Sequence, residues 1–460
     1  MRKYVYAASL LSLSSCSGLW TTYQVLEDMP MSDVADMAEN PDLLVDPCNG
    51  KQYYKMDSAE PTLVACCSNP DQNNGGTNQS NVMATIRDSQ NSTMFPGNSV
   101  TIRFSCAGTA LGTMGFSRAD ASVSALFAPI TRQTVIDGLP LNMSSANSMY
   151  PTVLHANQNS RHFIVNSGGS LWLQNLHLKG GKATDMPAAH QSAYPAAQGK
   201  APVAAGGSIV SMGEIKLDRV AFLDNRVEGS AHIRGGAIFI LNGKLSTNNS
   251  IFYGNNLSAL NGATLAATDQ AAGAAISVVN GNVLIGSSTI LKNEALSGYN
   301  GTEYKGVIDV FEQMTGAGGA YSITVEKSLI VNSLISSAPA VNTAVNYGLS
   351  VNCTTGVQLN GSVSAGNVID TVNNQLNKST GKASCPSFTA PSSPIPGELV
   401  AKTAIFNHPI SRSHPGGQIV ASGLTDLLLI GAAKLSCAGD LDFFGVNRVG
   451  TLCMPGAEVP

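Results

Sequence analysis

The side chains best suited to chemistry in this chain are carboxylates, because polysaccharide-cleaving enzymes depend on them. A lyase needs Asp or Glu ligands for Ca²⁺ beside an Arg or Lys base, and a hydrolase needs two carboxylates facing each other across the scissile bond. The acidic residues of the repeated central part are Asp218, Asp224, Glu228, Asp269, Glu294, Glu303, Asp309, Glu312 and Glu326. They are sparse and do not recur at matching repeat positions, as a stacked catalytic face would require. The sequence therefore predicts no catalytic residue.

Other reactive side chains are equally dispersed. No Gly-x-Ser-x-Gly nucleophile elbow is present. The histidines lack metal-ligand spacing: His155, His162, His177, His190 and His232. We therefore expect neither a metal site nor a cofactor.

Two features are open to more than one interpretation. The densest charge cluster combines Asp218-Arg219 with Asp224 and Arg226, and solvated turn charges are the favoured interpretation. Trp172 and Tyr321 are either platforms on which a sugar stacks or residues of the core and turns, and packing is favoured.

Composition favours an exported, β-rich chain. The 460 residues include 46 Gly, and 12% are charged against roughly 25% in average chains. A hydrophobic content of 43% is enough for a long core. The net charge of −4, without any Lys/Arg run, argues against nucleic-acid binding, which needs clustered positive charge.

The first residues have the pattern of an export signal. Arg2 and Lys3 precede a short apolar run, and Leu13-Ser14-Ser15-Cys16 resembles a bacterial lipobox in which the cysteine is acylated. The alternative is an ordinary cleaved signal peptide in which Cys16 is incidental. Lipidation at Cys16 would anchor the chain to a membrane, and no later stretch is long and apolar enough to span one. We expect an outer-membrane or cell-surface lipoprotein, or a secreted protein if Cys16 is not acylated.

Cysteine usage agrees with export. Setting Cys16 aside leaves an even number, which suggests disulfides in an exported chain. The favoured pairs are Cys353–Cys385 and Cys437–Cys453, because each pair is isolated within its own segment. Pairing among the others stays open: Cys48, Cys66, Cys67 and Cys106.

A repeated motif dominates the centre of the chain. A Gly-Gly-apolar start is followed by an apolar-x-x-Asn end, as from Gly235-Gly236-Ala237-Ile238 to Phe252-Tyr253-Gly254-Asn255. Related copies end at Asn225, Asn293 and Asn332, the first of them through Phe222. Such recurrence indicates a repeat architecture, and repeats usually present surfaces rather than enclose active sites.

The repeats consist of short β-branched stretches separated by Gly or Asn-Gly turns, without helical patterns between them. This predicts an all-β fold in which each strand stacks in parallel on the equivalent strand one turn earlier. The recurrent asparagines then either form a ladder of side-chain amides or serve only as turn formers. Segments 181–205 and 258–272 are expected to be insertions on one face, where binding often occurs.

The same residues resemble the repeats of chlamydial polymorphic outer-membrane proteins and related autotransporter adhesins. The resemblance covers about residues 100–460, including the segment from Cys437-Ala438-Gly439-Asp440 to Glu458, which is similar to the C-terminal cap of exported β-helix proteins. It implies a single-stranded right-handed parallel β-helix of the pectin-lyase-like kind. The expected division is 1–16 signal peptide, 17–99 irregular N-terminal segment, 100–395 β-helix, and 396–460 C-terminal coil with a disulfide-bearing cap.

One departure limits what the resemblance implies. Autotransporters end in a membrane barrel, whereas this sequence reaches Pro460 directly after the cap-like segment, so autotransporter function is not expected. The favoured function is non-enzymatic, adhesin-like binding of extracellular glycans or surface proteins. The alternatives are a polysaccharide-active β-helix enzyme and a structural spacer.

Overall fold

The structure is a computed structural model of the 460-residue chain. The residues it describes lie in the compact unit Lys51–Pro460, and the unit Met1–Gly50 contains none of them. The described ranges are 53–56, 61–66, 77–105, 113–115, 124–140, 152–194, 201–260, 269–291, 293–295, 304–305, 307–311, 323–326, 329–330, 351–353, 357–360 and 363–364. Strands predominate in these ranges and helices are few, which confirms the all-β prediction.

The described strands form four sheets. Sheet 1 has 16 strands: β1 (Tyr53–Met56), β2 (Thr62–Ala65), β3 (Ser99–Phe104), β4 (Thr113–Gly115), β5 (Gln133–Pro140), β6 (Thr152–His155), β8 (Ser170–Lys179), β12 (Glu214–Leu223), β16 (Lys244–Asn248), β17 (Ile251–Tyr253), β21 (Asn282–Gly286), β22 (Thr289–Leu291), β26 (Ile323–Glu326), β27 (Leu329–Ile330), β29 (Val357–Asn360) and β30 (Val363–Ser364).

Three smaller sheets complete the strand set of the described ranges. Sheet 2 has six strands: β7 (Phe163–Val165), β11 (Ile209–Ser211), β15 (Ile238–Leu241), β20 (Ile276–Val279), β25 (Ile308–Phe311) and β28 (Val351–Cys353). Sheet 3 consists of β9 (Lys182–Ala183), β13 (Arg226–Gly229), β18 (Asn256–Ala259) and β23 (Glu294–Ala295). Sheet 4 consists of β10 (Ala204–Ala205), β14 (Ile233–Arg234), β19 (Ala271–Ala272) and β24 (Tyr304–Lys305). The described helices are α1 (Thr77–Ser89) and α2 (Ala188–Ala193).

The chain visits the sheets in a fixed order. It passes from β7 in sheet 2 to β8 in sheet 1, β9 in sheet 3, β10 in sheet 4, and back to sheet 2 at β11. One such passage is called a circuit below. Strands of successive circuits pair in parallel and in register, so that Ile215 lies between Leu171 and Leu245. The pairing of β1 with β2 is antiparallel.

Alternation of side chains along each strand explains where the core lies. In β8, Leu171 and Leu173 are fully buried, whereas Ser170 and Trp172 are partly exposed. Since paired residues share a face, the buried positions of one circuit stack on those of the next. Burying each Leu, Ile, Val or Phe contributes about 1.5–3 kcal/mol, and these rows form one continuous core cluster.

A bend divides the longer strands of sheet 1. Residues with a left-handed backbone occur at equivalent positions in successive circuits: Asn175, Arg219, Asn249 and Ser287, with φ of 51°, 55°, 47° and 44°. The alternation in Ser170–Lys179 changes phase at Asn175, and the strand continues with Leu176 and Leu178 again buried. Each circuit therefore turns a corner without leaving the sheet.

The paired glycines of the repeats have separate steric roles. Gly235 has φ +66°, a conformation that L side chains rarely adopt. At Gly236 an added Cβ would lie 2.0 Å from the carbonyl oxygen of Ala274 in the next circuit. The first glycine thus permits the turn, and the second permits the close approach of adjacent circuits.

The asparagines that end the repeats form a ladder. The Asn225 side chain donates to Asn255 Oδ1 at 2.8 Å, and the Asn255 side chain donates to Asn293 Oδ1 at 2.8 Å. The same oxygens accept the backbone N–H of Asn225 at 3.1 Å and of Asn255 at 3.0 Å. All three residues are fully buried, so the ladder satisfies amides that water cannot reach. Asn332 lies outside the described residues.

Aromatic side chains stack beside the ladder. The rings of Phe222 and Phe252 lie 4.9 Å apart and differ in plane by 3°. Asn255 Nδ2 donates to the Phe222 carbonyl at 3.1 Å, and Asn293 Nδ2 donates to the Phe252 carbonyl at 2.9 Å. The apolar-x-x-Asn motif therefore joins an interior ring to an amide that fixes the corner following it.

Regular structure begins before Val100, where the sequence placed the first strand. β2 pairs in parallel with β3, and helix α1 lies between them in the chain. Val82 and Ile86 of α1 join the core cluster. Asn81 Nδ2 donates to the carbonyl of Cys66 at 2.9 Å, and Cys66 is disulfide-bonded.

Replacing Asn255 with Ala is expected to lower the free energy of unfolding by roughly 3–6 kcal/mol. The substitution leaves the Phe222 carbonyl and two donors of Asn225 without their partner in a buried corner, and each buried unsatisfied group costs about 1–3 kcal/mol. Urea unfolding followed by circular dichroism measures the change. The exposed Asn248, replaced with Ala, is the control and should change stability by less than about 0.5 kcal/mol. Equal losses in the two variants would contradict a stabilising ladder.

Candidate functional site

The outer surface of sheet 1 carries aligned rows of polar side chains. Because β8, β12 and β16 pair in register, residues that alternate with the core positions stand side by side. We call this surface the polar face; its central members are Ser170, Trp172, Gln174, Glu214, Lys216, Asp218, Lys244, Ser246 and Asn248. All of them are partly or fully exposed. A flat set of hydrogen-bonding groups is thus held on rigid strands.

Trp172 lies at the centre of the polar face, not in the core. Lys216 Nζ lies 4.0 Å from the centroid of the Trp172 ring. Trp172 Nε1 donates to Ser170 Oγ at 2.9 Å, and Ser170 Oγ donates to Glu214 Oε2 at 3.3 Å. Lys216 Nζ and Glu214 Oε1 are 3.5 Å apart, which closes the group. At an exposed site the cation–π contact contributes about 0.5–1 kcal/mol, so a ligand can displace the lysine from the ring at small cost.

Carboxylates also align on the polar face, which corrects the sequence argument that they do not. Asp137, Gln174 and Asp218 occupy equivalent positions in consecutive circuits. The pairing continues from Asp218 through Asn248 and Gly286 to Glu326. The alignment of these positions cannot be read from the sequence, because the circuits differ in length.

Asp137 and Asp218, the carboxylates of that row whose side chains the structure describes, are already paired. Asp137 accepts from Arg103 Nη2 at 3.1 Å and from Asn175 Nδ2 at 2.8 Å. Asp218 lies 3.2 Å from Arg219 Nη2 and accepts from Asn248 Nδ2 at 3.3 Å. Burial raises the pKa of Asp218, and Arg219 and the amide oppose that rise. Both carboxylates are therefore already engaged by an arginine and an amide. A general acid or base must instead be free to exchange its proton with substrate.

The cluster of Asp218, Arg219, Asp224 and Arg226 is not one site. Arg219 is paired with Asp218 on the polar face, whereas Arg226 Nε lies 3.0 Å from Glu228 Oε1 on sheet 3. Asp224, at φ 51°, lies in the corner between these sheets. The four residues thus lie on sheet 1, on sheet 3 and at the corner between them, so they do not form one site.

The repeat residues named from the sequence are structural. Those within the described ranges lie in the interior or at corners: Gly235, Gly236, Ala237, Ile238, Phe222, Asn225, Phe252, Asn255 and Asn293. Cys353 is the last residue of β28. The remaining predicted site residues lie outside the described ranges: Cys16, Cys385, Cys437, Cys453 and Asn332. Tyr321 is also outside them.

Three histidines are buried instead of exposed to ligands: His162, His177 and His190. His162 is hydrogen-bonded through Nδ1 to Ser208 Oγ and through Nε2 to the Leu154 carbonyl, both at 2.9 Å. Burial lowers the pKa of His162 to about 3 and that of His177 to about 3. No group of three or more His, Cys, Asp or Glu suited to a metal ion occurs among the described residues.

Acidification from pH 6.5 to pH 5 is expected to destabilise the fold. The folded-state pKa of His162 lies below the ordinary value near 6.5, so the unfolded chain takes up protons first as the pH falls. One such histidine costs up to about 1.4 kcal/mol per pH unit in this window. In His162→Asn the unfolding free energy should depend less steeply on pH, whatever its absolute value. Urea unfolding at several pH values measures the slope; a slope equal to that of the wild type would contradict this assignment.

Comparisons with known proteins do not assign a function to this chain. No family model matches the chain, and no curated protein or solved structure is significantly similar to it. No described helix is long and apolar enough to cross a membrane. The polar face and the arrangement of the circuits are therefore the features on which a function can be assigned.

Proposed function

We propose that the chain is a right-handed parallel β-helix that acts as a non-enzymatic, adhesin-like binding protein at the cell surface. The fold proposal is supported by the order in which the chain visits the four sheets and by parallel pairing between successive circuits. Parallel crossover connections are right-handed in about 98% of cases, which supports the handedness.

The polar face supports glycan binding as the activity. The observation that carries the proposal is the group around Trp172, where an indole ring lies next to an ammonium, a carboxylate and a hydroxyl. Sugars present an apolar ring face with hydroxyls at its edge, which matches an aromatic surface bordered by donors and acceptors. Rows repeated along sheet 1 offer similar contacts to successive units of a chain-like ligand.

A polysaccharide-active enzyme is the weaker candidate. The aligned carboxylates Asp137 and Asp218 are the residues that would favour it, but each is paired with an arginine and an amide. A spacer without any ligand is a third candidate, and the partly exposed indole of the polar face argues against it.

A glycan array probed with the purified full chain tests the activity. Binding to one or more glycans without release of products is expected. Trp172→Ala should weaken that binding about 30-fold, because a central Trp typically contributes 2 kcal/mol or more to an interface. Tyr253→Ala, an aromatic truncation on another part of sheet 1, is the matched control and should bind normally.

The outcomes separate the candidates. Shortened glycans in the reaction mixture would replace the proposal with the enzyme. Absence of binding to any glycan, or equal binding by the Trp172 and Tyr253 variants, would remove the polar face as the glycan site.

The proposed location has its own test. If Cys16 is acylated, cells supplied with radiolabelled palmitate should incorporate label into the protein, and Cys16→Ala should abolish incorporation. Cys353→Ala is the control for loss of an unrelated cysteine and should retain the label. Unchanged labelling of Cys16→Ala would rule out the lipid anchor and leave secretion as the proposed location.

A further inference from the structure

A segment of the chain covers the outer face of sheet 2. The outward side chains of that sheet form an apolar cluster with residues that follow β9: Ile164, Val210, Phe239, Leu241 and Val279 pack with Met186, Tyr194 and Ala205. We call residues 184–194, which include α2, the cover. It belongs to the 181–205 insertion that the sequence marks as a place for binding.

A buried guanidinium lies beneath the cover. Arg161 has no exposed surface. Its Nη2 donates to the Asp185 carbonyl at 2.6 Å and to Asp185 Oδ1 at 2.5 Å. Its Nε and Nη1 atoms are buried and make no hydrogen bond within the described part of the chain. Among the described residues, Arg161 Nε and Nη1 therefore have no acceptor, and only Nη2 is used by Asp185.

His190 of α2 lies near enough to Arg161 for the guanidinium charge to act on its imidazole. The side chain is fully buried, and neither ring nitrogen makes a hydrogen bond of normal geometry with a described residue, although the Val165 carbonyl is near. Burial lowers the pKa of His190 to about 4, and the charge of Arg161 adds to the effect. The imidazole is thus neutral at pH 7 and carries one N–H, which the Val165 carbonyl does not engage with normal hydrogen-bond geometry.

A second buried arginine, Arg234 of sheet 4, has a complete set of partners and serves as a comparison. Arg234 Nη1 donates to Asp309 Oδ2 at 2.5 Å, and Ser277 Oγ donates to the same carboxylate oxygen at 3.1 Å. Tyr194 of the cover also hydrogen-bonds Arg234. Asp309 is fully buried, so this pair is balanced within the protein.

Arg161 lacks such a balance. The side chain of its partner Asp185 is 49% exposed, so water screens the carboxylate while the guanidinium stays buried. The enclosed region therefore has an excess of positive charge and unused N–H donors. A buried polar group without a partner commonly marks a bound water or ion, and positive charge with charge-assisted donors favours an anion.

We propose that a small monovalent anion of the halide class binds beneath the cover, held by Arg161 Nε and Nη1 and by the N–H of His190. The complete burial of both side chains restricts the ligand to a small ion. Bound there, the anion ties the cover to the circuit that carries Arg161, because one ligand group comes from each.

Halide-dependent unfolding of the full chain tests the proposal. Sodium chloride and sodium bromide are compared with sodium gluconate at equal ionic strength and pH 7.5, since gluconate is too large to be enclosed. The melting temperature should rise with halide in a saturable manner, by about 2 °C or more. Arg161→Gln should abolish the difference between halide and gluconate. Arg103→Gln, at a surface arginine paired with Asp137, should leave it intact.

A second variant gives a change in the opposite direction. Asp185→Asn removes the carboxylate that competes for Arg161, so the halide midpoint should fall about tenfold, even if the variant is less stable in gluconate. A crystal soaked in bromide should show anomalous scattering between Arg161 and His190. Equal melting in halide and gluconate, an unchanged midpoint in Asp185→Asn, or bromide bound only elsewhere would overturn the proposal. If Arg161→Gln does not fold, the Asp185 variant and the bromide positions decide.

Discussion

The structure depends on the in-register stacking of one circuit on the next. Since strands pair residue for residue, the character of a position is shared along a row, and a misplaced polar group would disturb both neighbouring circuits. Ile215 between Leu171 and Leu245 shows the rule for the core. Asn255 between Asn225 and Asn293 shows it for a buried amide, which is satisfied only because identical groups precede and follow it.

Stacking also explains how much was visible in the sequence. The spacing of Gly235-Gly236 and of Phe252 before Asn255 records local sterics and hydrogen bonds, so repeats and corners could be predicted. The pairing of Trp172 with Lys216 could not, because it joins circuits whose unequal lengths conceal the register. Helix α1 was missed because its first turn is entirely polar and only a few positions, among them Val82 and Ile86, contribute apolar contacts.

Charged side chains differ in solvent exposure between the polar face of sheet 1 and the covered outer face of sheet 2. On the polar face, Lys216 and Glu214 keep contact with solvent, so their arrangement can change at little cost when a ligand arrives. Arg161 beneath the cover and His190 within it are both removed from water, so a change in their arrangement would leave buried charge or N–H groups exposed to no solvent. This difference does not follow from residue type. It arises because the 181–205 insertion folds back over sheet 2, whereas the polar face of sheet 1 stays open to solvent.

The N-terminal edge of sheet 1 has a consequence for association between molecules. A stack of parallel strands presents, at its end, backbone groups that another copy of the same chain could extend. Among the described strands, β1 lies at this edge and runs antiparallel to β2, and α1 contributes Val82 and Ile86 to the adjoining core. Within the described ranges, a further circuit of the repeating kind would therefore meet a strand of the opposite direction at this edge, which opposes fibre growth through it.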